Sequence, residues 1–337
     1  MKNKIMIFIV LAFMTTQVKA QLKILSGIEK GSYNSMAKDI LKICGDKEVK
    51  DTVREKVPVY VNGYPSGERD TTYIRSSKET FINIKTTGGS ADNYRQLVVN
   101  RSANPDIAFM QYDVILLEQL KSLKRGETKK KYENLRVLLP LGTEQIHLIT
   151  KASSDIESLK DLKGKRVGIG SKQTGTQVTA ICIQEITGIQ WINVEWDLDF
   201  CIKSLFNGQL DAFFFVGSAP VERLKLSKDI QFELRLVPIE DENLLAYYPK
   251  SVIKKGSYFW AKEDVPTFGV LDALVTNIIG ETKEKQENIK KMLTDIKNNI
   301  EELKKTGHPE WKEVSFDFSN YEGKIQTDDI SKEVFNK

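Results

Sequence analysis

Four times along this chain a short apolar run passes through a loop rich in Gly, Ser and Thr. Each time it enters a stretch whose apolar residues recur every three or four positions. The first run, residues 22–25, leads through Ser26-Gly27 and Lys30-Gly31-Ser32 to a predicted helix with Met36, Ala37, Ile40, Leu41 and Ile43 on one face. The second, residues 81–84, enters Thr86-Thr87-Gly88-Gly89-Ser90. Ser90 suits an N-cap there, and Asp92 complements the dipole of a helix carrying Leu97 and Val98. The third, residues 166–169, is followed by the loop 170–176 and a helix with Val178, Ile181, Cys182 and Ile186. The fourth, residues 211–216, is an apolar run suited to a buried parallel strand, and it ends in Gly217-Ser218-Ala219-Pro220. Strand, loop and helix in alternation predict an α/β fold of mostly parallel sheets flanked by helices.

Further strands are expected at residues 107–110, 137–139 and 145–150. Residues 283–306 read as one long amphipathic helix with Ile289, Met292, Leu293, Ile296, Ile300 and Leu303 on a face, ended by Gly307 and Pro309. The highly charged segment at about 45–79 breaks the rhythm and reads as an insertion on the first domain. Within it, Asn62-Gly63 between Val59-Tyr60-Val61 and Tyr64 is suited to turning a small hairpin.

The length of 337 residues predicts two domains, each able to bury a core. Fifty Lys and Arg against 46 Asp and Glu leave a net charge of +4, too balanced to announce a nucleic-acid partner. The first twenty residues stand apart. Lys2 and Lys4 precede the apolar run 5–14, and Val18-Lys19-Ala20 stands before Gln21, the pattern of a secretory signal peptide cleaved after about Ala20. The apolar run is about half the length a membrane-spanning helix needs. Loss of Lys2, Lys4 and Lys19 takes the net charge from +4 to +1 and leaves an exported, periplasmic protein. Cys44, Cys182 and Cys201 are an odd number for an oxidising compartment. Spacing does not decide whether Cys182 and Cys201 bridge, and small buried hydrophobes are the simpler reading.

Helix N-termini expose unpaired N–H groups, and glycine lets a ligand approach the backbone. Capping explains any one of the four loops. Four loops of one chemistry, gathered at the carboxyl ends of strands, predict instead a site for a small anion or zwitterion, foremost a carboxylate. Enzyme motifs fail. The loop from Gly170 to Gly175 has the outer glycine spacing of a P-loop but places Thr176 where the lysine belongs. Gly168-Ile169-Gly170 lacks the third glycine of a dinucleotide fingerprint, and no GxSxG, HExxH or zinc-spaced Cys/His set occurs. His147 and His308, the two histidines, are assigned structural roles. The expectation is a protein without catalytic residues, metal or cofactor.

An ordered set of segments carries a family resemblance. It comprises Ser26-Gly27 with Lys30-Gly31-Ser32-Tyr33, Thr87-Gly88-Gly89-Ser90-Ala91-Asp92-Asn93, and Asp106-Ile107-Ala108-Phe109-Met110-Gln111-Tyr112-Asp113. Ser158 to Val167, Gly170 to Thr176, Asn207 to Phe214, Gly256-Ser257-Tyr258 and Asp264-Val265-Pro266-Thr267 complete it. In these segments the chain resembles the TAXI family, the solute-binding proteins of TRAP transporters. The resemblance runs from about Leu22 to Phe318, broken by the insertion.

The resemblance implies a type II periplasmic-binding-protein fold of two α/β lobes, each a mostly parallel sheet, joined by two hinge crossings. Crossings near Leu141–Glu144 and Asp264–Thr267 assign residues 21–142 and 265–337 to lobe one and 143–264 to lobe two. Position by position, the ligand contacts it implies are Ser32, Tyr33, Ser90, Asn93 and Gln111 from lobe one. Lobe two would add Thr174, Gly175, Thr176, Gly217 and Tyr258. The implied function is capture of a small carboxylate or a glutamate-like amino acid for a TRAP-type permease. A sensor docking on a receptor and an enzyme on the same scaffold are the alternatives. Asn34, where the family has a second aromatic, and Thr174 in place of a Ser bear on which ligand is held.

Overall fold

The computed structural model describes residues 21–45, 47–61, 64–100, 104–127, 130–225 and 233–336. The signal-peptide reading of residues 1–20 and the Asn62-Gly63 turn lie outside them. In chain order the strands and main helices open with β1 (Leu22–Leu25), α1 (Ser32–Cys44), β2 (Lys47–Val61), β3 (Tyr64–Glu79) and β4 (Ile82–Lys85). They continue with α2 (Ser90–Tyr94), β5 (Ile107–Gln111), α3 (Tyr112–Arg125), β6 (Leu135–Lys151), β7 (Arg166–Gly168) and α4 (Gly175–Thr187). Next come β8 (Ile192–Val194), α5 (Leu198–Phe206), β9 (Ala212–Gly217), β10 (Leu234–Leu236), β11 (Lys250–Ile253) and β12 (Val265–Asn277). Helices at Lys283–Asn298, Ile300–Thr306 and Asp329–Phe335 complete the fold, with a 3-10 turn at Pro309–Glu313.

One sheet runs through the molecule in the order β4-β1-β5-β12-β6-β9-β7-β8, with β10 on β6 and β11 on β12. The short strands of each end are parallel, β4-β1-β5 on one side and β8-β7-β9 on the other. Between them β6 and β12 run antiparallel, Leu135 opposite Asn277 and Gln145 opposite Gly269. The first part of β6 therefore belongs to the β5 side, and residues 145–150 pair with β9. Two lobes share one pair of long strands.

The sequence pattern predicted separate strands at 137–139 and 145–150; they are one strand of 17 residues. It bends instead of breaking. The register slips beside Asp272, and Gly142 opposite it takes φ +128°. A Cβ at Gly142 would stand 2.6 Å from the Glu313 Cβ, so a side chain is excluded there on both conformational and steric grounds.

The insertion forms an antiparallel ribbon of 15- and 16-residue strands, much longer than a small hairpin. The predicted helix 283–306 divides at Asn299, whose amide Nδ2 donates to the Asp295 carbonyl 2.8 Å away. A side chain competing for backbone acceptors in this way interrupts a helix. All three cysteines are free and buried.

Among the described residues, three apolar clusters fill the interior. Met36, Ile40, Phe109, Leu274, Met292 and Trp311 belong to lobe one; Ile149, Leu205, Phe213, Tyr258 and Trp260 belong to lobe two. The third crosses between them, joining Ile115 of α3 and Val275 of β12 to Val178 and Ile183 of α4 and to Phe214 of β9. The lobes are closed upon each other.

The 3-10 turn at Pro309–Glu313 is fastened to α1. Asp39 Oδ2 accepts from the Trp311 indole at 2.9 Å and from the His308 backbone N–H at 2.8 Å. Asp39→Ala leaves two donors without an acceptor and lowers unfolding free energy by about 1–3 kcal/mol, read by urea unfolding with tryptophan fluorescence. An unchanged midpoint would mean that the turn is held by packing alone.

Candidate functional site

A connected set of polar side chains lies where β6 and β12 cross between the lobes. Tyr33, in the first turn of α1, stacks on Phe109 with ring centroids 5.2 Å apart and donates its phenol to Asp272 Oδ1 at 2.8 Å. The Ser90 hydroxyl lies 3.5 Å from that phenol oxygen and accepts the Gln111 backbone N–H at 3.3 Å. Gln111, the last residue of β5, donates its side-chain Nε2 to Glu144 Oε2 at 2.6 Å. Glu310, on the 3-10 turn anchored by Asp39, completes the set. Its carboxyl interacts with the hydroxyls of Ser32 from lobe one and Ser218 from lobe two.

Glu144, Asp272 and Glu310 are 7%, 4% and 8% exposed. Burial pushes the Glu144 and Glu310 carboxyls up to about 7; the Gln111 amide pulls the first back, and the Ser32 hydroxyl, His308 and the Ser218 hydroxyl pull back the second. Asp272 rises well above the carboxylate range through burial and then through the charges of Glu144 and Glu310. Asp113 stands behind them, raised to about 7 by burial although it accepts from Thr179 Oγ1 at 2.5 Å. Among the described residues no Lys or Arg pairs with any of these four; the His308 ring lies beside Glu310, its Nδ1 3.9 Å from Oε2 and accepting the Glu310 backbone N–H at 3.4 Å. Carboxyls this close and this dry hold protons near neutrality.

Lobe two closes on this set through the start of α4. Thr174 caps the helix, its hydroxyl accepting from the Gln177 N–H at 3.3 Å and donating to the Ser171 carbonyl at 2.7 Å. Gly175 rests on Gln111 so closely that a Cβ would stand 1.6 Å from Gln111 Oε1. Gly89 faces the Gln173–Thr174 backbone, 3.5 Å from where its own Cβ would be. Gly217 ends β9 opposite Gln145, next to Ser218. Thr176 turns inward, accepting the Val216 N–H at 3.2 Å.

Of the residues expected to touch ligand, the structure brings together Ser32, Tyr33, Ser90, Gln111, Thr174 and Gly175, with Gly217 beside Ser218. The polar groups of Asn93 and Tyr258 are engaged within their own lobes. The Asn93 amide donates to the carbonyls of Ser26 at 2.6 Å and Phe109 at 2.7 Å. Tyr258 lies 2.8 Å from His147 Nε2 and accepts the Val221 N–H at 2.8 Å. His147 is buried and driven down to about 4, consistent with a neutral ring whose Nδ1–H donates to the Gln145 carbonyl.

Sequence reasoning missed Glu144, Asp272 and Glu310. The signal was present: Asp272 interrupts the apolar run Val270-Leu271-Asp272-Ala273-Leu274. A lone carboxylate inside a buried strand calls for a partner or a purpose.

The geometry is that of a two-lobed α/β protein with its polar site at the junction of the lobes. The chain belongs to the NMT1-like family, whose pattern it matches over residues 63–320. It is also similar to solved structures. One is an amino acid ABC transporter substrate-binding protein, AbpA from Streptococcus pneumoniae, bound to L-arginine. That match has 16% identity over 87% of this chain and 95% of that one, with a TM-score of 0.41. Another is a TctC solute binding protein from Polaromonas, at 13% identity over 86% and 89% of the two chains and a TM-score of 0.42. Protein AF1704 from Archaeoglobus fulgidus matches at 12% identity over 87% and 82%, with a TM-score of 0.43. No described helix is long and apolar enough to cross a membrane.

Stability should follow the protons of the cluster. The unfolded carboxyls titrate near their ordinary 4.5 and 3.8 and the folded ones higher, so the folded chain binds more protons and loses stability as pH rises from about 4.5 to about 7. Burial of neutral His147 opposes this below its ordinary 6.5, as one group against several. The melting temperature of the unliganded protein should be several degrees higher at about pH 5.5 than at about pH 8, with a smaller difference in Glu144→Gln. A profile that rises with pH would mean that the carboxyls are solvated.

Proposed function

We propose that this protein is an extracytoplasmic solute-binding protein that closes its two lobes around a small carboxylate or amino acid. The observation that carries the reading is the convergence of the two lobes' loops on one buried polar set at the shared strands. The start of α1 and the Ser90 turn come from one side, and the start of α4 comes from the other. Among the described residues only β6 and β12 run from lobe to lobe in the sheet, so rotation about their crossing would open the set to solvent and reverse on binding. Backbone N–H groups at the starts of α1 and α4, with the hydroxyls of Ser32, Ser90 and Thr174, suit the carboxylate end of a solute. Tyr33, Gln111, Gly175, Thr176 and Gly217 shape the same walls in this reading, and Asn93 and Tyr258 support them from behind. The partner we assign is a membrane permease of the TRAP type, following the TAXI-like segments, with residues 1–20 directing export to the periplasm. Catalysis has no part in the reading.

A thermal-shift screen tests it. The protein is unfolded and refolded to strip any co-purified solute, then melted with amino acids, dicarboxylates, keto acids, sugars and phosphates. A ligand at 100 times its dissociation constant adds about 2.7 kcal/mol, or roughly 2–4 °C or more. A shift with a carboxylate or amino acid supports the reading; silence across the panel overturns it. Gly175→Ala sets a methyl against Gln111 and hinders closure. The variant should give a larger radius of gyration in small-angle scattering and bind the stabilising compound about tenfold more weakly. Unchanged affinity would place the solute elsewhere.

A further inference from the structure

We infer that Glu144, Asp272 and Glu310 form a subsite for a cationic nitrogen of the solute, an ammonium or guanidinium group, so that the solute is a zwitterion or cation and not a plain dicarboxylate. The inference rests on the solute-binding reading and narrows its substrate class.

Three elements bring these carboxyls together: β6, β12 and the 3-10 turn at Pro309–Glu313. Each is buried, and among the described residues no Lys or Arg compensates them. A buried carboxyl without a counter-ion either keeps its proton or takes a cation. In the closed, unliganded molecule the first solution holds. A cationic ligand supplies the second.

Gln111 gives independent support. It is 3% exposed, and its amide is oriented by the bond from Nε2 to Glu144. That leaves Oε1 buried with no hydrogen-bond partner, on the side of the cluster where Gly175 of lobe two closes. Asp113 Oδ1, behind it, is likewise without a partner. The groups unsatisfied at this point are acceptors. An ammonium offers three donors and a guanidinium five, each with the positive charge the carboxyls lack. A carboxylate in the same place would face the same acceptors and could be held only if the acidic groups kept or gained protons. The carboxylate end of a zwitterion is directed instead to the helix starts and hydroxyls.

A metal ion is the rival occupant. Among the described residues no group of three or more His, Cys, Asp or Glu is arranged to hold one, which favours the organic cation.

The test compares matched compounds by calorimetric titration of the stripped protein: L-glutamate with glutarate and 2-oxoglutarate, L-arginine with its deamino analogue, and L-alanine with propionate. At least one amino compound should bind about tenfold to a hundredfold more tightly than its nitrogen-free partner. The gap should shrink in Glu144→Gln/Glu310→Gln. Proton counting in two buffers of different ionisation enthalpy gives a second readout that needs no variant. A cation entering protonated carboxyls releases protons to the buffer, whereas an anion beside them takes protons up. A nitrogen-free acid that binds as tightly as its amino partner, or binding with proton uptake, overturns the inference and leaves the solute-binding reading standing. Tight binding of calcium or magnesium ions alone overturns it in favour of a metal site. Binding by none of the compounds overturns both.

Discussion

The antiparallel pairing of β6 with β12 is the constraint on which the rest of the molecule depends. Gly269–Asn277 of β12 lie against Leu135–Gln145 of β6, and each strand serves both lobes. Every other part of the sheet is short and belongs to one side. The pairing fixes how the lobes face each other, and its bend at Gly142 decides where they meet. Because side chains alternate along a strand, that bend also decides which residues of β6 and β12 point toward the meeting place. Glu144 and Asp272 are there for that reason. The segment carrying Glu310 is packed against the same bend, with the Glu313 Cβ under Gly142.

Burial of acid at this junction sets up a tension within the closed molecule. The apolar cluster shared by α3, α4, β9 and β12 favours closure, since opening would return that surface to water. The carboxyls favour closure only while they hold protons or have a cation beside them. On the proposed solute-binding reading, a ligand would need to supply only the difference between these two opposed terms to shift the balance between open and closed forms.

Much of the candidate site can be read from local pattern. The Gly/Ser/Thr loops that precede helices point to Ser32, Ser90 and Thr174, the family resemblance adds Tyr33, Gln111 and Gly175, and the structure brings these together. Asn93 and Tyr258 carry the same polar chemistry yet turn into their own lobes, a distinction made by the carbonyls of Ser26 and Phe109 and by His147. Polarity in a loop reveals that a side chain needs a partner and does not reveal which one.

By itself the sequence determined the α/β class and the Gly/Ser/Thr turns that open its helices. These depend on hydrophobic period, capping residues and glycine, all of which act within a few residues of themselves. Tertiary structure decided the rest. It joined the two strands expected at 137–139 and 145–150 into one. It also gathered Glu144, Asp272 and Glu310 from three separate segments of the chain. The reason is physical: what happens to a carboxyl depends on burial and on the charges around it. Those are fixed by the long-range pairing of β6 with β12 and the packing of the C-terminal turn upon them.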